Sequence, residues 1–198
     1  MNIRNISILL SMLLLSLYAA AVETVRFDIL LFGDKIGTMT VTRELRADGV
    51  EFYTLESSSK AKILWIDKEN YSRYEVVYKN GKLISSTHKE LENKKLKRWT
   101  NISWNGSQYI VDSYKGKRSF TEAPEYCTVS MYFKGFKDVK KIFYEAEADY
   151  DVVEHPQSNV TEFKSSDGTR NVYYFENGRI KSMDFHISIA KVRMERVN

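Results

Sequence analysis

Alternation of apolar and polar residues dominates the chain between Glu51 and Trp104. Along its first run, every second residue from Tyr53 to Trp65 falls on one face of an extended strand. Asn80-Gly81 then interrupts the alternation with a residue pair that favours a type I′ turn, which predicts a hairpin. Runs longer than the usual ~5–6 residues of a strand force a sheet to coil. The stretch therefore predicts a curved antiparallel sheet.

Turn signals recur along the remaining chain at a regular spacing. Six of the nine glycines follow Asp, Asn or Lys between apolar runs: Gly49, Gly81, Gly106, Gly116, Gly168 and Gly178. This rhythm is typical of a meander. In the final run Val192 and Met194 fall on the opposite parity from Phe185, and a one-residue bulge near Ala190 would correct this. The predicted fold is mainly β: a curled antiparallel meander sheet, or partly open barrel, of about ten strands with one short helix.

The short helix is predicted between Pro124 and Gly135, where the period changes. Proline suits the first turn of a helix and glycine the position just past its end. Apolar residues follow one helical face at Val129, Tyr132, Phe133 and Phe136. We expect this helix to lie across a sheet face or to plug an open end.

Residues 1–21 have the features of an export signal. Arg4 precedes an apolar run of twelve residues, Ile6 to Leu17, and Ala19-Ala20-Ala21 matches a signal-peptidase site. The apolar run is too short to span a bilayer, which needs about 20 residues. The sequence thus predicts a single β domain over residues 22–198 that is exported, periplasmic and soluble after cleavage.

Charge and motif content favour a non-catalytic protein. Without Arg4 the 30 basic side chains fall to 29 against 26 acidic ones, a balance that argues against nucleic-acid binding. The three histidines are too far apart in sequence for a metal site on one element, and no cofactor motif occurs. Cys127 is the single cysteine, and we expect it to pack as a small apolar side chain rather than to act as a nucleophile.

Two lysine-rich segments could meet a partner. Lys89 to Arg98 contains interleaved glutamates and is typical of a solvated turn. In the second segment aromatic residues alternate with Lys134, Lys137, Lys140 and Lys141. That pattern predicts either peripheral contact with an anionic membrane through these four lysines or, alternatively, core aromatics beside solvated lysines.

Several stretches resemble a known group of proteins. Phe27 to Gly37 is similar to the first hairpin of exported bacterial β-proteins classed as domains of unknown function, and Tyr71 to Tyr74 and Ser130 to Phe133 resemble later parts of that pattern. The resemblance covers most of the chain after residue 21. It also implies a distant architectural similarity to the outer-membrane lipoprotein carriers, in which a curled sheet with helical cover surrounds an apolar concavity. No catalytic residues come with it.

Two functions follow from a curved sheet that one short helix can cover only in part. The first is a periplasmic, non-catalytic binding protein that holds a lipid-like or other apolar ligand in the concave face. Its expected lining residues are Trp65, Tyr78, Trp104 and Phe185. The second is an envelope structural or protein-interaction module whose sheet is fully packed and binds no ligand.

Overall fold

The computed structural model describes residues 21–63, 65–135, 138–165, 168–187 and 190–197. Nearly all of the predicted leader, and Phe136 of the predicted helical face, lie outside this part of the chain. Across the described residues, the chain forms fourteen strands and one short 3₁₀ turn. The strands are β1 Ala21–Leu31, β2 Asp34–Leu45, β3 Val50–Ile63, β4 Ile66–Lys79, β5 Lys82–Glu92, β6 Lys95–Trp104, β7 Tyr109–Ser113, β8 Gly116–Phe120, β9 Lys141–Tyr144, β10 Asp149–Gln157, β11 Val160–Lys164, β12 Arg170–Glu176, β13 Arg179–Ile187 and β14 Ala190–Val197.

All fourteen strands belong to one open antiparallel sheet. Strands β1 to β8 each pair with their neighbour in sequence, and so do β9 to β14. The two series join where β14 pairs with β1, which places Ile29 opposite Met194. Consequently β1 and β14, the first and last strands, lie in the middle of the sheet, and β8 and β9 form its edges. The predicted meander is confirmed, including the hairpin at Asn80-Gly81, whose φ angles of 51° and 77° fit a type I′ turn.

The prediction of about ten strands is too low because two of the expected long strands contain reversals. The sequence predicts one strand from Ile142 to Val153, but this stretch is divided into β9 and β10. The final run reverses between Ile187 and Ala190, so the bulge predicted near Ala190 is wrong. In the resulting hairpin Phe185 lies opposite Val192, which returns both to one face without an extra residue.

The predicted helix within Pro124 to Gly135 is also wrong. Among the described residues the segment forms only the 3₁₀ turn Ser130–Tyr132. The backbone N–H groups just before this turn bind outside the segment instead of within a helix. Thr128 N donates to the Phe143 carbonyl at 3.0 Å, and Val129 N donates to Glu145 at 3.1 Å. Since these groups bond to β9 and the turn that follows it, the chain is held as an extended strap along the edge of the sheet.

The hydrophobic core follows the concave side of the sheet and extends from Ile29 and Met39 to the end that holds Tyr53 and Tyr78, which we call the packed end. The β2–β3 and β4–β5 turns mark this end. Tyr53, Val76 and Tyr78 are fully buried there. The strap of residues 121–135 fills the space in front of them, and Phe133 packs against Tyr53 with ring centroids 6.0 Å apart. One end of the curled sheet is therefore closed by its own side chains, as the structural alternative requires.

Side chains connect the two edges, although no ladder joins β8 to β9. Phe120 and Phe143 contact each other across the seam, with ring centroids 5.5 Å apart. Arg118 Nη2 donates a hydrogen bond of 2.8 Å to the Ala148 carbonyl, and Thr100 Oγ1 donates one of 2.6 Å to the Ala146 carbonyl. The sheet is thus open in its backbone hydrogen bonding yet curled far enough for its edges to touch.

Candidate functional site

A cavity of about 730 Å³ lies on the concave side of the sheet. Small-molecule sites usually enclose about 300–1,000 Å³. The cavity reaches the end of the sheet opposite the packed end, which we call the mouth end and which carries the β3–β4, β7–β8 and β9–β10 turns. Lys115 and Asp149 belong to two of these turn regions and are exposed at the rim.

One wall of the cavity is apolar. It comes from β2, β3, β11, β13 and β14, whose concave-facing residues alternate with solvent-facing ones. The residues concerned are Met39, Leu55, Phe163, Phe185 and Met194. Such a surface can hold a hydrocarbon chain or another apolar group.

The opposite wall is charged and is organised around Glu147 in the β9–β10 turn. Arg98 Nη1 lies 3.3 Å from Glu147 Oε1, and the Tyr114 hydroxyl donates a hydrogen bond of 2.9 Å to the same oxygen. Lys115 forms an ion pair with the second oxygen. The hydrogen bond that the Lys115 ammonium donates to Glu147 raises the pKa of Lys115 above its ordinary value. The wall therefore combines fixed positive and negative charges and suits a polar group of a ligand.

Tyrosine hydroxyls provide the polar groups between the two walls. Tyr74, Tyr132, Tyr144 and Tyr173 all line the cavity. Burial raises the pKa of Tyr144 to about 12 and that of Tyr74 well above its ordinary value. These hydroxyls are neutral near neutral pH, so they can hydrogen-bond a ligand but do not supply a phenolate base.

His88 lies behind Tyr74 and is almost fully buried. The two rings contact each other at a tilt of 32° with centroids 4.3 Å apart, and His88 Nε2 is 3.4 Å from Ser72 Oγ. The His88 Nδ1 atom has no hydrogen-bond partner. Burial, assisted by the positive charge of Arg98, lowers the pKa of His88 to about 4. The ring is thus neutral at physiological pH, which leaves this wall without an additional charge.

Glu145 and Cys127 form a buried polar pair at the strap. The Glu145 carboxylate accepts hydrogen bonds of 3.1 Å from the backbone N–H groups of Thr128 and Val129, and another from the Thr128 hydroxyl. Burial raises the pKa of the Glu145 carboxyl and that of the Cys127 thiol. A thiol with a raised pKa is a poor nucleophile, so the arrangement serves to hold the strap.

The structure brings one of the four predicted lining residues to the cavity. Phe185 lies on the apolar wall. Tyr78 faces the packed end, where Lys134 Nζ lies 4.9 Å from its ring centroid. Trp104 packs against Tyr109 with centroids 4.8 Å apart, and Lys82 Nζ is 3.3 Å from the Trp104 ring.

The fourth predicted residue, Trp65, lies outside the concave face. Its side chain is 90% exposed in the β3–β4 turn. The alternating run was expected to continue to Trp65, but the chain turns between Ile63 and Ile66. Trp65 is therefore a turn residue rather than the end of an alternating strand, and its placement in the lining is wrong.

The lysines predicted to meet a membrane do not form one free surface. Lys134 is held at the packed end, with its Nζ atom 3.6 Å from Glu51 Oε1. Lys141 pairs with Glu122, Lys140 is exposed, and Lys137 lies outside the described residues. Contact through these four positions stays a prediction, with Lys134 the least available of them.

Sequence reasoning missed the charged wall. Arg98 was included in a lysine-rich solvated turn, whereas the structure directs its guanidinium to Glu147. One available signal was the segment Glu145 to Asp151, which carries four carboxylates in seven residues directly after the apolar Ile142, Phe143 and Tyr144. Charged residues in such a position are usually paired or functional.

A family model described as Domain of unknown function (DUF6134) matches residues 27–197. The chain belongs to this family. No curated protein and no solved structure matches it. The DUF6134 assignment agrees with the predicted resemblance to proteins of unknown function, whereas the expected likeness to lipoprotein carriers is not shown.

Two features are absent from the described part of the DUF6134 chain. No helix there is long and apolar enough to cross a membrane. Likewise, no three His, Cys, Asp or Glu side chains within the described ranges are grouped so that they could hold a metal ion.

Proposed function

We propose that the protein is a non-catalytic binding protein that holds one amphipathic small molecule in its concave cavity. The observation that carries this proposal is the division of a 730 Å³ space into an apolar wall and a charged wall. An apolar tail would lie against Leu55, Phe185 and Met194, and a polar group would face Arg98 and Glu147. A lipid-like molecule satisfies both walls, whereas a purely apolar ligand would leave the charged wall desolvated.

The chemistry of the titratable groups supports binding rather than catalysis. The cavity tyrosines and His88 are neutral near pH 7, and the Cys127 thiol is buried and protonated. Glu147 is occupied by three partners across the seam. A general base or nucleophile needs a pKa matched to its task and access to the substrate, and these groups lack one or both.

The proposed location is the periplasm, after removal of residues 1–21. The supporting observation is the predicted export signal, which consists of Arg4, the apolar run Ile6 to Leu17 and Ala19-Ala20-Ala21. Intact mass of the protein isolated from its producing cells tests this. We expect a chain that starts at Val22 within about two residues, and a chain that retains Met1 to Leu17 would contradict export with cleavage.

The alternative is an envelope structural or protein-interaction module without a ligand. The observation in its favour is the packed end, where Tyr53, Val76 and Tyr78 are fully buried and the strap fills the concavity. If the mouth end also closes in solution, no space remains for a ligand.

A pair of neighbouring serines separates the two functions. Ser57 lines the cavity, while Ser58 points to the convex face and is exposed. We expect Ser57→Phe to weaken binding of a fluorescent fatty acid about tenfold or more, because the ring occupies the ligand's space. Ser58→Phe is the matched control and should bind as wild type does.

Thermal unfolding of both variants shows whether Ser57→Phe is still folded. Equal affinity of both variants would contradict the cavity as the binding site. Failure of the wild-type protein to bind the probe would favour the structural alternative.

A further inference from the structure

The mouth end of the sheet carries large apolar side chains that contact water. Phe32, in the β1–β2 turn, is 80% exposed. Trp65 and Ile66, in the β3–β4 turn, are 90% and 58% exposed. β2 pairs with β3, so the two turns lie on adjacent hairpins, and strand spacing places them about 10 Å apart. They therefore form one candidate contact surface, which we call the aromatic tips.

The β3–β4 hairpin projects beyond the β5–β6 hairpin on one side of it and reaches about as far as the β1–β2 hairpin on the other. The β5–β6 hairpin reverses just after Glu92, which lies opposite Asn70 of β4, whereas the ladder between β3 and β4 continues to the pair Ile63–Ile66. Four further residues extend a strand by about 13 Å. Trp65 thus lies at the end of an arm that can reach a surface before the body of the sheet does.

Both aromatic residues occupy backbone positions that do not favour them. Phe32 has a φ of 55° and Trp65 a φ of 70°. Two other turns of this chain place Asn80 and Asn177 at the equivalent left-handed conformation, which asparagine tolerates and bulky residues rarely adopt. Exposed aromatics in strained positions add nothing to the core. Such violations of local preference point to a function at the surface.

The charge around the aromatic tips is positive. Residues 32–35, 60–69 and 92–97 form the β1–β2, β3–β4 and β5–β6 turns and carry seven lysines against four carboxylates. Within the described residues, four of these lysines form no ion pair: Lys60, Lys62, Lys94 and Lys95. Aromatic residues settle at the interface between lipid and water, and unpaired lysines are attracted to anionic headgroups.

We propose that the mouth end docks on an anionic lipid membrane, with Phe32, Trp65 and Ile66 entering the interface. Lys60 and Lys62 then lie at the level of the headgroups. The proposed membrane contact thus lies at the opposite end of the sheet from Lys134, which is held at the packed end. The cavity rim at Lys115 and Asp149 would face the lipid, but the docking surface stands whether or not the cavity holds a ligand.

Flotation with lipid vesicles tests the proposal on the full chain. The vesicles contain phosphatidylglycerol and phosphatidylcholine in about equal amounts, with pure phosphatidylcholine as the neutral comparison. We expect wild-type protein to float with the anionic vesicles, and we expect the double variant Phe32→Ser/Trp65→Ser to lose about tenfold or more in partitioning. Lys60→Gln/Lys62→Gln should weaken binding to the anionic vesicles only.

Matched controls lie away from the aromatic tips. Val152→Ser removes another exposed apolar side chain, and Lys140→Gln/Lys141→Gln removes two lysines at the packed end. Both should float as the wild type does. Because the substituted side chains are largely exposed, unchanged thermal unfolding is expected for every variant.

A single-tryptophan protein reports the depth of contact. Trp99→Phe/Trp104→Phe leaves Trp65 as the remaining tryptophan. Its emission should shift to shorter wavelength when anionic vesicles are added. No flotation of the wild type, or flotation unchanged by Phe32→Ser/Trp65→Ser, would overturn the proposal. It would also be overturned by a dimer that the double variant abolishes while vesicles are not bound, since the tips would then serve self-association.

Discussion

His88 should make the protein lose stability as the pH falls. Its pKa is about 4 in the folded protein because burial and Arg98 disfavour the imidazolium ion. In the unfolded chain a histidine titrates near 6.5, so between these values the unfolded state binds the additional proton. Stability is therefore fully present above about pH 6.5 and declines as the pH approaches 4. The shift corresponds to roughly 2.5 kcal/mol lost between about pH 7.5 and about pH 4.5.

Chemical denaturation of wild type and of His88→Gln at both pH values measures this loss. Glutamine does not titrate, so the free energy of unfolding of His88→Gln should fall less than that of wild type by about the amount calculated. Other titrating groups contribute equally to both proteins and cancel in the comparison. His186→Gln is the matched control: its side chain is exposed, and we expect wild-type pH dependence. An equal fall for wild type and His88→Gln would refute the inference that His88 is buried in its neutral form.

Two further predictions concern backbone contacts, one between β2 and β3 and one at the strap. Gly37→Ala should destabilise the protein by about 2 kcal/mol or more, because the new Cβ would lie 2.1 Å from the Ser58 carbonyl oxygen and β2 would have to move. Chemical denaturation measures this loss. A variant as stable as wild type would contradict the close contact between β2 and β3. Glu145→Gln should cost about 1–3 kcal/mol, since an amide offers one acceptor oxygen where the carboxylate uses two. Hydrogen exchange at the Val129 amide should become faster in this variant, and an unchanged rate would show that Glu145 does not hold the strap.

Most of the strand architecture could be predicted because polar and apolar residues alternate. The hairpins marked by Asn80-Gly81 and Asn177-Gly178 were predictable, since asparagine and glycine accept the positive φ angles that these turns require. The reversals that were missed or misplaced carry other residues. Trp65 and Ala148 adopt positive φ without any such signal, and no glycine, proline, asparagine or aspartate lies between Phe185 and Lys191. Tertiary pairing, rather than local preference, positions these turns.

The site was less predictable than the fold for a related reason. The apolar wall follows from alternation, and Phe185 was identified in this way. The charged wall depends on the curling of the sheet, which brings Arg98 of β6 to Glu147, a residue 49 positions further along the chain. The run of carboxylates around Glu147 is visible in the sequence, but it does not identify Arg98 as their partner. The helix was mispredicted for the same reason, because Glu145 binds backbone groups of the strap that a helix would have bonded internally.

The most direct test of the central claim is to identify what the cavity holds in protein purified from its producing cells. Native mass spectrometry followed by organic extraction gives both the stoichiometry and the chemical class of any bound molecule. We predict about one amphipathic molecule per chain in wild type and in Ser58→Phe, and loss of that molecule in Ser57→Phe. Wild-type protein that carries no molecule, and that also fails to bind a fluorescent fatty acid, would contradict the claim that the concave cavity is a ligand site.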